Sequence, residues 1–319
     1  MASEFDLIRR HFSRATRHTD LAGGDDGALL TPAAGMQVVV STDMLVAGTH
    51  FLADCDPEAL GWKALAVNIS DLAAMGASPR WATLALSLPT ADEGWLSAFA
   101  RGFYECAVRF DVDLIGGDTT RGALNLCPTV FGEIPSGQAI TRDGARAGHE
   151  LWVSGQPGRA ALALAALRGE LELAPGQAPS FTAALHRPQP RVALGLALRG
   201  LASAMLDVSD GLLGDLGHIL ERSGVGCTVH TDLLPLASLT AAVSEPDRAM
   251  HALLRGGDDY ELLFTAQAEH RRQIDALSRV LGLPLHRIGT IDDTPGRLQA
   301  QAADGRLGEL AAGGFDHFL

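Results

Sequence analysis

Apolar and polar positions along the chain follow two rhythms. Short apolar runs ending in polar residues read as strands, and longer stretches with apolar residues three and four apart read as helices. QVVVSTD, from Gln37 to Asp43, is predicted to be a strand that delivers Asp43 to its end. DPEALGWKALAVNISDLAAMGASP reads as a long helix, with Asp56 placed to cap it, Pro57 suited to its first position and Gly76 to its stop. Within it Asn68 and Asp71 are three apart and project from one face. RWATLALSL follows as a strand and DEGWLSAFARGFYECAVRF as an amphipathic helix. VDLIGGDTT reads as a strand running into a glycine turn, and LNLCPTVFGEI as a further strand.

Around Thr141 to Gly155 the chain turns polar and glycine-rich, which predicts two domains, residues 1–145 and 146–319. In the second, GRAALALAALRG and PRVALGLALRGL read as helices, with a loop from Pro175 to Pro190 between them. AMLDVSDGLLGDLGHILERSG predicts a strand, a turn and a helix whose apolar face is Leu212, Leu213, Leu216, Ile219 and Leu220. YELLFTA, PLHRIGTI and RLQAQ are later strands. The expected class is α/β (α+β), with two sheet-and-helix domains.

Composition narrows the partners. The chain has 319 residues, 47% hydrophobic and 20% charged, enough for two domains with real cores. A formal net charge of -13 argues against nucleic acid and anionic membrane. Nucleotides stay open, because a bound cation reverses the local sign of a site. Lys63 is the only lysine; every other basic side chain, histidine aside, is arginine. The cysteines Cys55, Cys106, Cys127 and Cys227 are scattered, with no C-x-x-C pair, so neither a zinc site nor a disulfide framework is expected. No signal-peptide pattern opens the sequence, and its most apolar stretch, Ala160 to Leu167, is too short to span a bilayer. A cytoplasmic protein is expected.

The carboxylates carry the chemistry. GGDD occurs at Gly23–Asp26 and again at Gly256–Asp259, and GGD at Gly116–Asp118. Asp43, Asp118 and Asp207 sit at predicted strand ends, Asp71 lies inside an otherwise apolar helix, and Asp207 and Asp210 flank Val-Ser before another. Oxygen ligands without cysteine or clustered histidine suit hard cations, magnesium above all where phosphates complete the shell. Each has a plainer reading: a Gly-Gly-Asp turn is common, Asp210 could cap its helix, and His50 could serve backbone groups. Neither a P-loop nor the protein-kinase motif set is present.

Taken in order, GGDDGALL, STDMLVAGTHF, KALAVNISDLAAMGASP, IGGDTTRG, LDVSDGLLGDL, GGDDYELLF and the closing GGFDHF resemble the thiamine-monophosphate kinases across nearly the whole chain. The resemblance implies the aminoimidazole ribonucleotide synthetase-like fold, in which the N-terminal sheet pairs with its twin in a homodimer and ATP lies against the C-terminal domain. It implies ATP-dependent phosphorylation of thiamine monophosphate to thiamine diphosphate, the last step in making that cofactor. Matching motif positions assigns magnesium ions to Asp26, Ser41, Thr42, Asp43, Asp71, Asp118, Asp207 and Asp210. It assigns ATP to Gly117, Asp118, Arg142 and Ser209, and thiamine phosphate to His50, Asp258 and Phe315. The family usually carries an apolar residue between the glycines of its first acidic turn, where this chain has GGDD. It also usually carries Glu where this chain has Asp258, so the shorter side chain is expected to reach substrate through a water.

No general base is needed, because a phosphate monoester is largely dianionic at neutral pH. The obstacle is repulsion between two polyanions, which several magnesium ions bridging them would relieve during in-line transfer. Asp43, Asp118 and Asp210 are expected to matter most. Other readings are a different ATP-using enzyme of this fold, a metal-dependent phosphohydrolase, and a non-catalytic binder.

Overall fold

The computed structural model describes residues 4–314. The chain folds as two compact units: one runs up to Leu72 and resumes over Ala77–Gly137, and the other takes Ala73–Gly76 and everything from Gln138 on. The division falls before the polar stretch at Thr141. Ile140 is the physical reason, because this apolar side chain is already buried with Trp152, Leu194 and Phe264 of the second unit.

The first unit contains α1 (Glu4–Leu7), β1 (Met36–Thr42), β2 (Leu45–Val46), α2 (Pro57–Ala74), β3 (Ser78–Leu88), α3 (Glu93–Arg109), β4 (Asp113–Arg121) and β5 (Asn125–Pro135). Its sheet runs β1-β5-β3-β4, with β2 also on β5. β3 and β4 are parallel and the other pairs antiparallel. α2 starts where expected: the Asp56 carboxylate accepts the Ala59 N–H at 2.8 Å. α3 starts at Asp92, whose carboxylate accepts the Gly94 and Trp95 N–H groups. The two helices meet backbone to backbone. A Cβ at Gly61 would stand 2.0 Å from the Phe99 carbonyl oxygen, and one at Gly102 would stand 1.7 Å from that of Glu58.

Alternation along β1 sorts its side chains. Val39 is buried and Ser41 meets α2, whereas Val38 (41% exposed) and Val40 (55%) point to the opposite, open face. β4 differs from expectation, because Gly116 and Gly117 lie inside the strand rather than in a turn after it. A Cβ on Gly117 would fall 1.9 Å from the Leu84 oxygen, so this glycine serves close strand packing and lets β4 continue through Asp118.

The second unit contains β6 (Glu150–Ser154), α4 (Arg159–Leu167), α5 (Ala178–His186), α6 (Val192–Ala197), β7 (Ala202–Asp207), α7 (Leu212–Ser223), β8 (Gly226–His230), α8 (Ala237–Thr240), α9 (Pro246–Arg255), β9 (Leu262–Ala266), α10 (Arg271–Leu281), β10 (Leu285–Asp292), β11 (Leu298–Gln301) and β12 (Leu307–Glu309). The sheet runs β12-β11-β8-β10-β6-β9-β7 and is antiparallel except at β11–β8. The apolar face predicted for α7 is fully buried. α5 stands where a loop was expected. Phe181 and Leu185, four apart, both enter the core, and Pro179 occupies the helix's second position, where its missing N–H costs nothing.

Candidate functional site

In the first unit, α2 and the end of β1 bring oxygen donors together. Ser41 Oγ donates to Asp71 Oδ2 at 2.6 Å, and the Asp43 N–H donates to Asn68 Oδ1 at 2.8 Å. The buried Asn68 amide also donates to the Ala64 carbonyl at 3.0 Å, which fixes its orientation. Residues three apart on α2 thus hold both the strand end and the hydroxyl beside it. Thr42 lies on the other side of the pleat. Its Oγ1 donates to the Pro128 carbonyl at 2.9 Å and accepts from Thr129 Oγ1 at 3.0 Å.

Asp118 is exposed and sits opposite Ala85, which in turn sits opposite Cys127, on the same open face as Thr42. The sheet therefore divides the predicted ligands: Ser41 and Asp71 on the helix-covered face, Thr42 and Asp118 on the open one. Asp26 is exposed in the loop closed by the Leu21–Leu29 bridge. His50 closes the turn after β2; its Nδ1 accepts the Val46 N–H at 3.0 Å, which sets the neutral tautomer with the proton on Nε2.

In the second unit Asp207 ends β7 and is buried. Asp210 does not cap α7, because Gly211 stands at that position with φ +116. The turn is held instead by Asp215, whose carboxylate accepts the Ser209 N–H at 3.0 Å and the Asp210 N–H at 3.1 Å. Burial, helped by the Asp210 charge, pushes the Asp215 carboxyl up to about 7, against the backbone N–H bonds that favour its ionised form. An acidic residue in the first turn of a helix, reaching back over its start, is a readable signal, and DVSDGLLGD contains it. Arg142 is exposed, with its carbonyl accepting from Ser223 Oγ at 3.0 Å.

The second acidic turn, Gly256–Glu261, is tied to the Asp207–Asp210 turn by its backbone. The Asp258 N–H donates to the Ser209 carbonyl at 2.7 Å and the Tyr260 N–H to that of Val208 at 2.8 Å. Asp258 (φ +72) and Tyr260 (φ +52) both lie in the left-handed region, at a cost of about 1–3 kcal/mol each. Asp259 caps α4, accepting the Gly158 N–H at 2.6 Å and the Ala160 N–H at 3.4 Å. Burial raises its carboxyl well above the usual range, and the Gly158 and Ala160 N–H bonds oppose the rise. Glu261, not singled out in the sequence, accepts both Arg191 Nε (2.7 Å) and Arg191 Nη2 (2.6 Å). Its motif position gave no hint, since Arg191 is remote in sequence. Near the end of the described chain Arg255 donates to the Ala311 and Gly313 carbonyls, and Gly314 packs against Gly214 and Asp210. Phe315 lies outside the described residues.

Among the described residues no three Asp, Glu, His or Cys side chains converge as a ready cation cage. The donor chemistry nonetheless fits magnesium, which takes one or two carboxylates and completes its shell with water and substrate phosphates. The carboxylate and hydroxyl oxygens of the Ser41–Asp71 pair make that kind of partial shell.

Residues 24–134 match the family described as AIR synthase related protein, N-terminal domain, and residues 146–300 match its C-terminal domain. These paired domains, each on its own sheet, define a protein of the AIR synthase related class. The thiamine-monophosphate kinase of Escherichia coli is 43% identical over 99% of this chain and 98% of its own length. A crystal structure of the Stenotrophomonas maltophilia thiamine-monophosphate kinase superposes with a TM-score of 0.84 at 48% identity, covering 94% of this chain and 95% of that one. The solved complex of AaThiL with AMPPCP and TMP superposes with a TM-score of 0.78 at 28% identity, over 98% and 96% of the two chains. The chain belongs to the thiamine-monophosphate kinase family.

Proposed function

We propose that this protein transfers the γ-phosphoryl group of ATP to thiamine monophosphate, giving ADP and thiamine diphosphate, in the cytoplasm. The observation that carries the reading is the end-to-end similarity to kinases named for that substrate, one relative having been solved with AMPPCP and TMP. No helix among the described residues is long and apolar enough to cross a membrane.

ATP binding and dimerisation are assigned to the first unit and completion of the substrate site to the second. Asp43 and Asp71 present carboxylates at the end of β1, held by Asn68 and Ser41. Asp26, Ser41, Thr42, Asp43, Asp71, Asp118, Asp207 and Asp210 would hold magnesium ions. When bound, these ions neutralise phosphate charge and align the attacking and leaving oxygens for direct in-line transfer. Gly117, Asp118, Arg142 and Ser209 contact ATP; Gly117 brings main chain, not side chain, to that position. His50, Asp258 and Phe315 contact thiamine phosphate. With its Nδ1 committed to the backbone, neutral His50 offers an Nε2–H donor to a phosphate oxygen. No residue acts as a general base, because the acceptor is already an anion.

The dimer forms through the first unit's sheet, and the apolar open face of β1 supports it. Val38 and Val40, two apart on that face, form an exposed apolar surface that pairing of two sheets would cover.

The test is ADP release from ATP and magnesium, with and without thiamine monophosphate. ADP that appears only with the acceptor, together with thiamine diphosphate, is the expected result. ADP release indifferent to the acceptor would overturn the named reaction in favour of hydrolysis.

A further inference from the structure

The Gly256–Glu261 turn is fastened to the rest of its unit on two sides. Its backbone is bonded to the Val208–Asp210 turn, and the Val208 N–H returns a bond to the Glu261 carbonyl at 2.8 Å. Its side chains fasten it to the β6–α4 turn. Asp259 takes N–H groups at the start of α4. Glu261 accepts the Ser154 hydroxyl at 2.6 Å and the Gln156 N–H at 3.3 Å, besides the two-pronged bond from Arg191. Ser154 Oγ also accepts the Leu262 N–H at 2.9 Å, closing the network onto β9.

The fit is tight. Gly155 has φ +61, and a Cβ there would stand 1.8 Å from Glu261 Oε1, so the carboxylate rests directly against main chain. The Glu261 side chain is 6% exposed and that of Arg191 26%, so the pair is directional rather than a loose surface contact. Two non-glycine residues in the left-handed region persist only when their surroundings over-determine them. Those residues, Asp258 and Tyr260, flank Asp259 directly before Glu261.

We propose that Glu261 and Arg191 are positioning residues. By locking the turn to the β6–α4 segment they set the direction in which Asp258 is presented to thiamine phosphate, without touching the substrate themselves. The proposal rests on the assignment of Asp258 to the substrate made above. Neither residue belongs to the ATP or magnesium set. The Ser209 turn keeps its own hold through the Asp215 carboxylate, so loss of the clamp weakens thiamine phosphate more than ATP, a small displacement at a binding group costing far more than the contact removed.

The experiment compares Glu261→Gln, Arg191→Met and the double variant with the parent chain. It measures KM for thiamine monophosphate and for ATP, kcat, melting temperature, and hydrogen exchange at the Asp258 and Tyr260 amides. Glu261→Gln is expected to raise KM for thiamine monophosphate roughly tenfold or more while KM for ATP changes less than about twofold. The Asp258 and Tyr260 amides are expected to exchange faster in it. The double variant leaves no unpaired buried charge, so its melting temperature returns toward the parent while KM for thiamine monophosphate stays high. Recovery of KM together with melting temperature, equal weakening of both substrates, or unchanged amide protection would each overturn the proposal. A parent chain that makes no thiamine diphosphate would instead sink the proposed reaction, and the amide exchange would still decide whether the clamp exists.

Discussion

Asp43 and Asp118 sit in opposite settings, and the difference shapes what their removal does. Asp43 is held by its backbone to Asn68 at the end of β1, whereas Asp118 stands exposed within β4. Asp43→Asn and Asp118→Asn preserve shape and remove charge. Each is expected to lower kcat by about 10²–10³-fold with the fold intact, measured as ADP release beside circular dichroism. Activity within a few-fold of the parent would remove that residue from the metal set. His149 supplies a pH prediction. Its Nδ1 accepts the Arg146 N–H at 3.2 Å and lies 2.7 Å from Ser203 Oγ. Burial, seconded by the Arg146 charge, lowers its pKa below the ordinary 6.5. The folded state thus binds fewer protons than the unfolded chain. The associated stability is fully present above pH 6.5 and is lost as pH falls through the lower folded value. Urea midpoints are expected to drop on going from about pH 7.5 to about pH 5.5 in the parent and to drop less in His149→Gln. Equal drops in both proteins would place the acid sensitivity elsewhere.

At the scale of elements, α2 and α3 depend on two glycines that face each other's backbone. Gly102→Ala puts a methyl 1.7 Å from the Glu58 oxygen, which is main chain of the facing helix and not the movable end of a side chain. A loss of about 3 kcal/mol is expected, read from denaturant unfolding. A loss below 1 kcal/mol would mean that the helices separate readily. The helices themselves were legible in the sequence, because Asp56 and Pro57 announce a start and the apolar spacing of DGLLGDLGHIL announces a buried face. Two elements were less legible, for opposite reasons. The IGGD glycines look like a turn, but their freedom is used for the close approach of β4 to β3. The prolines around Phe181 look like a loop, but they sit where a helix tolerates them. Contacts between residues far apart in the chain left no local trace, so Arg191–Glu261 came only with the fold, whereas Asp215 over the Ser209 turn is a local contact that DVSDGLLGD already contains. The side of the pleat on which each oxygen donor falls was also hidden until register was known.

For the whole molecule, assembly and ligand linkage give the remaining expectations. The chain is expected to run as a dimer in light scattering, and Val40→Glu, which places a charge on the open face of β1, is expected to yield monomers. A parent that is monomeric at all concentrations would end the dimer proposal. Binding to the folded state alone stabilises it by mass action. An unreactive ATP analogue with magnesium at about 100 times its Kd should therefore add about 2.7 kcal/mol, and chelation of the metal should cancel most of it. A melting shift unaffected by chelator would argue that nucleotide binds without the cation.

Lys63 lies deep in α2, 3% exposed, and no second lysine exists in the sequence. Amine-directed reagents therefore meet no reactive side chain on the native protein, leaving the chain's own amino terminus aside. Modification of Lys63 has to wait for α2 to come away from its neighbours. The chain thus contains a single-residue clock for the opening of the helix that holds Ser41 and Asp43, readable by mass spectrometry with no label engineered in.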